Sequence, residues 1–534
     1  MTDGSRRWTL WAIVLVFLLS SVHTSFVSHI GSVMRSDVLG KSENQTSNNY
    51  DWISSFPNNI TVLDSKVFSD GEDILLSGNY YVPDGMKYPP FVGTEPNTGI
   101  FVTRQTSDGQ FGNIWSIGNT MVGEGATWPI LTNWDYHKLY VYDAVSIDSS
   151  SVMVVGCFSG EWNWDGQIIN SSSGPDGFIG RLSSNPAESW VETFGLDERY
   201  YGNQSIHPEC ATDIESTDRG TFIIGGSTNE DTILNQSLSN RGILTPFILE
   251  IDNMSNIIWT TEGPQGVNNS IIRGLDWSPS FNRVVISTET GRNGIQPRST
   301  VSVYLVNSSG WSWSEWVPDL IRDVYFSADG DSLFIVGTAG RGNISFSNNF
   351  NYLSVNHHTW LLESSSYQWE VRWLSIINGT SYHAQLQMYV DDFGITYLTQ
   401  SPTSPPISQL SPENWSWENK MIVQYDFNGN IQWIHGIIGA SKVSLASFNG
   451  KGPVIVGDST NLSIEASRFV ENGTPYVGTD YVPRFFFIWH MSDVDNDGVA
   501  ATRDDCFTVS NWASNSTTDY DMDGCRDFDE DDDD

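Results

Sequence analysis

Residues 152–156 read Val-Met-Val-Val-Gly, residues 176–182 read Asp-Gly-Phe-Ile-Gly-Arg-Leu, and residues 189–194 read Ser-Trp-Val-Glu-Thr-Phe. The first two are short apolar runs bounded by Gly, Ser and Asn, the pattern of strands covered on both faces. The third is an aromatic strand built on Trp. All three recur. The first returns at 74–78, 222–225, 284–287, 333–337, 396–399 and 454–457. Further copies of the second start near Gly99, Pro246, Val301, Thr359, Met421 and Phe485. Trp115, Trp190, Trp259, Trp313, Trp373 and Trp433 mark the third. Recurrence at this scale is the sign of a repeat architecture, in which one supersecondary unit covers its apolar faces against its neighbours.

The count comes to seven units, and the seventh lacks its Trp strand. The missing piece stands at the other end, where Tyr50-Asp51-Trp52-Ile53-Ser54-Ser55-Phe56 resembles residues 189–194. An N-terminal strand paired with C-terminal ones closes a ring and leaves no open edge between first and last units. The expectation is therefore an all-β chain: a seven-bladed β-propeller over residues 50–491, closed by a strand around Trp52. An array of β-sandwiches is the rival. Long loops fall at 80–98 and 116–140, and no stretch of useful length carries a helical period.

These units resemble the bacterial and archaeal β-propeller repeat of secreted proteins, which runs D..GN.Y..G and then G.DAFV.K.D..G...W...GG. Asp176-Gly177-Phe178-Ile179 with Trp190 and Phe194-Gly195 fits it, as does the segment 421–436 with Asp426, Gly429, Asn430 and Trp433. The unit spanning Asp276 to Trp316 departs most, lacking the Gly after its second strand. A Trp at one strand position in every unit reads as packing between blades. Trp162, Trp164, Trp311, Trp316, Trp415 and Trp417 fall outside the period and are the candidates for ligand contact, against packing at the solvent edge.

The amino terminus sets the compartment. Arg6 and Arg7 precede an apolar run over 8–19, the pattern of an export signal and short for a membrane span. Residues 1–30 are read as a signal peptide or an uncleaved anchor, with 8–22 as the possible tether, and 31–49 as a polar linker. The N-x-Ser/Thr sequons scattered along the chain are permissive for glycosylation.

The segment 492–534 is a separate electrostatic object. It holds 15 acidic and 2 basic residues, a net of −13 out of −38 for the chain. Asp493-Val494-Asp495-Asn496-Asp497-Gly498 places carboxylates at alternate positions before a glycine, with Asp504 twelfth in the loop. That spacing suits Ca²⁺, a hard cation with about six to eight oxygen ligands. Asp493, Asp495, Asp497 and Asp504 would bind through side chains and Val499 through its carbonyl. A second copy sets Asp519, Asp521, Asp523, the Cys525 carbonyl, Asp527 and Glu530 around another ion. The segment resembles thrombospondin type 3 repeats, with Asp504-Asp505-Cys506 matching their ending and Phe507 standing where Pro is usual. Cys506 and Cys525 bracket the second loop, and a disulfide between them would staple a segment too small for a core of its own. Cys157 and Cys210 either pair between adjacent blades or stay as reduced core thiols.

Composition narrows the function. With 64 Asp+Glu against 26 Lys+Arg the chain has no basic footprint for nucleic acid. It has no G-x-S-x-G, H-E-x-x-H, P-loop or dinucleotide fingerprint, and its nine histidines show no metal-ligand spacing. No residue stands out as catalytic and no cofactor but Ca²⁺ is implied. The expectation is an extracytoplasmic protein, secreted or anchored to the outer face of the cell membrane. It would act as a calcium-stabilised binding or adhesion scaffold for an extracellular polysaccharide or a surface protein. A polysaccharide lyase or hydrolase on a propeller, and a purely structural surface protein, are the alternatives.

Overall fold

The computed structural model describes residues of the stretch from Trp52 to His490. It leaves out 1–51, 55–60, 82–97, 120–138, 196–208, 401–419, 473–484 and 491–534, together with shorter loop pieces. The described residues are almost entirely strands, arranged in antiparallel sheets of which several have four strands. Among them no helix is long and apolar enough to cross a membrane.

The plan is plainest in the sheet made of Leu139–Asp148, Ser151–Phe158, Asp176–Ser183 and Trp190–Phe194. Its two middle strands are buried at every position, which is why they read as mainly apolar runs. The first and last strands alternate and carry the polar residues. The same four-strand order recurs over Cys210–Ser216 to Ile257–Glu262, Ser270–Ser278 to Trp311–Pro318, and Leu320–Phe326 to Val371–Asn378. It begins the chain as Thr61–Asp70, Asp73–Tyr81, Thr98–Thr106 and Phe111–Asn119, where a hairpin, Glu161–Trp164 with Gln167–Asn170, adds two further strands. The last sheet has eight strands. Within it Ile431–Phe448 pairs first with Lys420–Tyr425 and, in its second half, with Gly452–Glu465. Trp52–Ser54 joins this sheet, pairing antiparallel with Phe485–His490 in the register Trp52 to His490, Ile53 to Trp489 and Ser54 to Ile488.

Neighbouring sheets are held by two sets of side chains. On the outer strands, the Trp190 indole donates to the Asn253 carbonyl of the next sheet (3.0 Å), Trp313 to Ser366 (2.8 Å) and Trp373 to Phe427 (3.0 Å). Two of these acceptors lie in one kind of turn. Asp252 Oδ1 takes the amides of Met254 and Asn256 while Oδ2 takes Asn256 Nδ2, and Asp426 holds Asn428 and Asn430 in the same way. Gly429 sits in this turn at φ +82°, and a Cβ there would come within 2.7 Å of the Trp373 ring. The Gly in the turn thus frees both the backbone and the seat of the neighbouring Trp. The repeated Trp is a tether between sheets.

Three inserted hairpins lean on the outer strand of the preceding sheet. Glu161–Trp164 pairs with the strand Phe111–Asn119. Ile233 and Leu238 share a cluster with Phe194, and Phe346 shares one with Val317. Trp162 and Trp164 are buried here, with Trp164 Nε1 donating to the Arg181 carbonyl (3.2 Å), so both are packing residues. Trp316 is exposed. Trp415 and Trp417, and the Trp311 side chain, lie outside the described residues.

Candidate functional site

One cavity of about 1030 Å³ is lined mainly by Thr61–Asp70, Leu139–Asp148, Cys210–Ser216, Ser270–Ser278, Leu320–Phe326, Gln387–Asp391 and Ile431–Phe448, with Ser77, Gly78 and Ile100 added from Asp73–Tyr81 and Thr98–Thr106. They pack in order around it. Lys66 Nζ reaches the Tyr142 carbonyl (3.5 Å) and sits over its ring (4.4 Å), while on its other side the Val67 amide donates to Ser444 Oγ (3.1 Å).

The walls are acidic. Asp143, Asp213, Glu215, Asp276 and Asp323 line the cavity, each partly exposed. Asp143, Asp213 and Asp323 each stand directly after a β-bulge in their strand. A bulge adds a residue and re-aims the side chains beyond it. Here it carries each of these carboxylates across the seam to the next sheet. Asp143 takes the amides of Ala144 (2.8 Å) and Ile214 (2.9 Å), and Asp213 takes that of Leu275 (2.7 Å). Asp323 takes Val324 (3.0 Å) and Met388 (3.0 Å). In the fourth sheet the equivalent position is Gly274, and the task falls to Asp276 two residues on, which holds Trp277 (2.8 Å) and Phe326 (2.6 Å). Gln387 continues the series to the Leu445 amide (3.0 Å).

Glu215 differs. Among the described residues it has no hydrogen-bond partner, and it stands one row along from Asp213. Burial, then the charges of Asp276, Asp143 and Asp323, push its carboxyl well above the ordinary range. Burial, then Asp143, does the same to Asp213. Burial raises Asp276 to about 7 and Asp323 to about 8, and raises Asp143 despite its amide donors and Lys66. Asp143 and Asp213 also interact with each other across the seam, the charge of Asp143 adding to the rise at Asp213. Desolvation lowers Lys66 to about 8, against the pull of Asp143 and Asp213. The cavity therefore holds protons near neutrality, the condition for general acid chemistry and for a site that prefers neutral or cationic groups.

The residues singled out from sequence fall elsewhere. Asp493, Asp495, Asp497, Val499, Asp504, Asp519, Asp521, Asp523, Cys525, Asp527 and Glu530 lie outside the described residues, as does Cys506. Among the described residues no three His, Cys, Asp or Glu side chains are grouped to hold a metal ion. Cys157 and Cys210 form a disulfide between the strands Ser151–Phe158 and Cys210–Ser216, across the seam that Asp143 also bridges. His358 is buried within its strand. The cavity carboxylates were missed. Their signal is an acid set in the strand ahead of some of the recurring core runs, as in Tyr142-Asp143-Ala144 and Arg322-Asp323-Val324.

No family model and no curated protein matches this chain. Similar solved structures include a chain of the mitotic checkpoint complex, at 11 % identity and a TM-score of 0.38, covering 86 % of this chain and 97 % of that one. A subtype N11 neuraminidase-like protein of influenza A from a flat-faced bat in Peru matches at 8 % identity and a TM-score of 0.34, covering 84 % and 96 %. Hydrazine synthase of Kuenenia stuttgartiensis matches at 12 % and 0.35, covering 60 % and 75 %. Likenesses this distant assign the chain no function.

Proposed function

We propose that the chain is an exported, seven-bladed β-propeller, closed by pairing of Trp52–Ser54 with Phe485–His490, that serves as a binding scaffold at the cell surface. The ligand would be an extracellular polysaccharide or a surface protein. Residues 492–534 would form a calcium-stiffened spacer, and 1–30 the export signal or anchor. The observation that carries the scaffold reading is the use made of the cavity carboxylates. Asp143, Asp213, Asp276 and Asp323 accept backbone amides across successive seams and so hold the ring together. Groups committed in this way are poor candidates for turnover, which leaves binding by the loops as the main role.

A second reading rests on Glu215. A cavity carboxyl with no hydrogen-bond partner among the described residues, pushed above the ordinary carboxylate range by burial, is the kind of acid a polysaccharide hydrolase or lyase needs. The full chain would be screened against extracellular polysaccharides for both binding and cleavage. Retention without new chain ends supports the scaffold. Cleavage that disappears in Glu215→Gln establishes the enzyme, and neither retention nor cleavage on any polymer leaves a surface-protein partner or a structural role.

A further inference from the structure

We infer that the acidic collar of the cavity is a proton-dependent lock between neighbouring sheets, tightening as pH falls from about 8 toward 6 and loosening as it rises. The geometry starts at the seam between Leu139–Asp148 and Cys210–Ser216. There Asp143 and Asp213 both stand on the cavity wall and repel each other when both are ionised. Asp143 holds the Ile214 amide and Asp213 the Leu275 amide, so this repulsion falls at a joint of three sheets. Glu215 stands on the same strand, its carboxyl without a hydrogen-bond partner among the described residues.

The charges facing this strand are mostly of one sign. Leu139–Asp148 presents Asp143 with Tyr140 and Tyr142, and Ser270–Ser278 presents Asp276 and Arg273. Across the cavity Leu320–Phe326 adds Asp323, Tyr325 and Arg322, Gln387–Asp391 adds Tyr389 and Asp391, and Thr61–Asp70 adds Lys66. The packed neighbours Ser151–Phe158, Asp176–Ser183 and Phe222–Thr228 put no titratable group on the cavity wall. Arg273 and Arg322 are drawn off to Glu289, at 2.8 and 3.5 Å. Lys66 is left as the counter-charge, and desolvation weakens it.

The sign comes from linkage. A carboxyl whose proton is held more tightly in the folded chain than in the unfolded one stabilises the fold at low pH, and that stability is lost as pH rises through the folded value. For Asp276 and Asp323 the loss runs from about 4 up to about 7 and about 8. Lys66 acts in the opposite sense but above about 8. The carboxylates held below their usual range, Asp148, Asp252 and Asp329, act only toward acid pH, near and below about 4. Among the described groups with a shifted carboxyl, those acting between 6 and 8 are in the collar. Each collar group that keeps its proton only in the fold makes the folding constant fall about tenfold per pH unit.

The test is urea unfolding of the full chain with EDTA at pH 6.0 and 8.5, for wild type, Glu215→Gln and the exposed Glu188→Gln. The expected result is a higher midpoint at pH 6.0 for wild type. Glu215→Gln should raise the midpoint at pH 8.5 and narrow the gap between the two pH values, with Glu188→Gln leaving it as it was. A wild type equally or more stable at pH 8.5, or a gap that Glu215→Gln leaves unchanged, overturns the inference. Proton uptake of wild type, folded against urea-unfolded between pH 6 and 8, needs no variant. More protons bound by the folded chain upholds the lock; equal or fewer sinks it. Neither measurement depends on whether the chain binds or cleaves a polymer.

Discussion

Replacing Gly429 with Ala tests whether the turn glycine is there for its backbone, for the neighbouring Trp, or for both. Gly429 has φ +82°, where an L-residue costs roughly 1–2 kcal/mol. Gly220 has φ +72° and nothing within 4 Å of where a Cβ would stand, so Gly220→Ala measures that backbone cost alone. At Gly429 the new methyl also meets the Trp373 ring at 2.7 Å, and the indole must shift. Moving it stretches the 3.0 Å bond from Trp373 Nε1 to the Phe427 carbonyl, worth about 0.5–1.5 kcal/mol. Gly429→Ala is therefore expected to cost about 2–3 kcal/mol and Gly220→Ala about 1–2 kcal/mol. Urea midpoints at constant slope read the difference. Combining Gly429→Ala with Trp373→Ala should return its cost to that of Gly220→Ala, since the obstructed ring is gone. Equal costs for the two single variants would refute the claim that the turn seats the neighbouring Trp.

The same contacts set other outcomes. Cys157→Ser with Cys210→Ser opens a loop of 53 residues, and chain entropy puts the loss at about 4 kcal/mol, read as a midpoint shift against the oxidised wild type. Asp252→Ala removes the acceptor for two amides and the Asn256 side chain, so it should cost about 1 kcal/mol at pH 7. Because hydrogen bonds from Asn256 and Met254 hold that carboxyl below its usual range, wild type should lose this advantage as pH falls below about 4, which midpoints at pH 3 and 7 would check. Calorimetric titration of the full chain with Ca²⁺ should give two ions, abolished by Asp495→Ala with Asp521→Ala.

The strands that could be read from sequence are those whose environment is uniform. Residues 152–156 are covered on both faces, so their apolar run survives in the sequence unbroken, while 176–182 keep Phe178, Ile179 and Leu182 beside the buried Asp176 and Arg181. The Trp markers were legible because several sheets, at Trp190, Trp313 and Trp373, reuse the same tether. The strands around the cavity hid for the opposite reason. A bulge between Val141 and Asp143, and between Ile321 and Asp323, breaks the alternation that would reveal the strand. The acids after those bulges look like solvated surface residues until the sheets bring them face to face. Gly274 shows the limit most sharply, since its sheet moves the carboxylate two places along to Asp276 and spoils any search by period. Trp162 and Trp164 fall outside the period because they belong to an inserted hairpin packed on the edge of the sheet before it.

The pairing of Trp52 with His490 has a mechanical consequence. The two strands run antiparallel and meet at that pair, so the chain enters and leaves the sheet side by side, within about 5.5 Å. A force applied between residue 52 and residue 490 acts across the ladder and parts its hydrogen bonds one after another, starting from the loaded end. Bonds broken in sequence yield at far lower load than bonds sheared together. Tension carried between the two ends of this fold would thus spend itself on a three-residue strand, releasing it before the fully buried middle strands feel any strain.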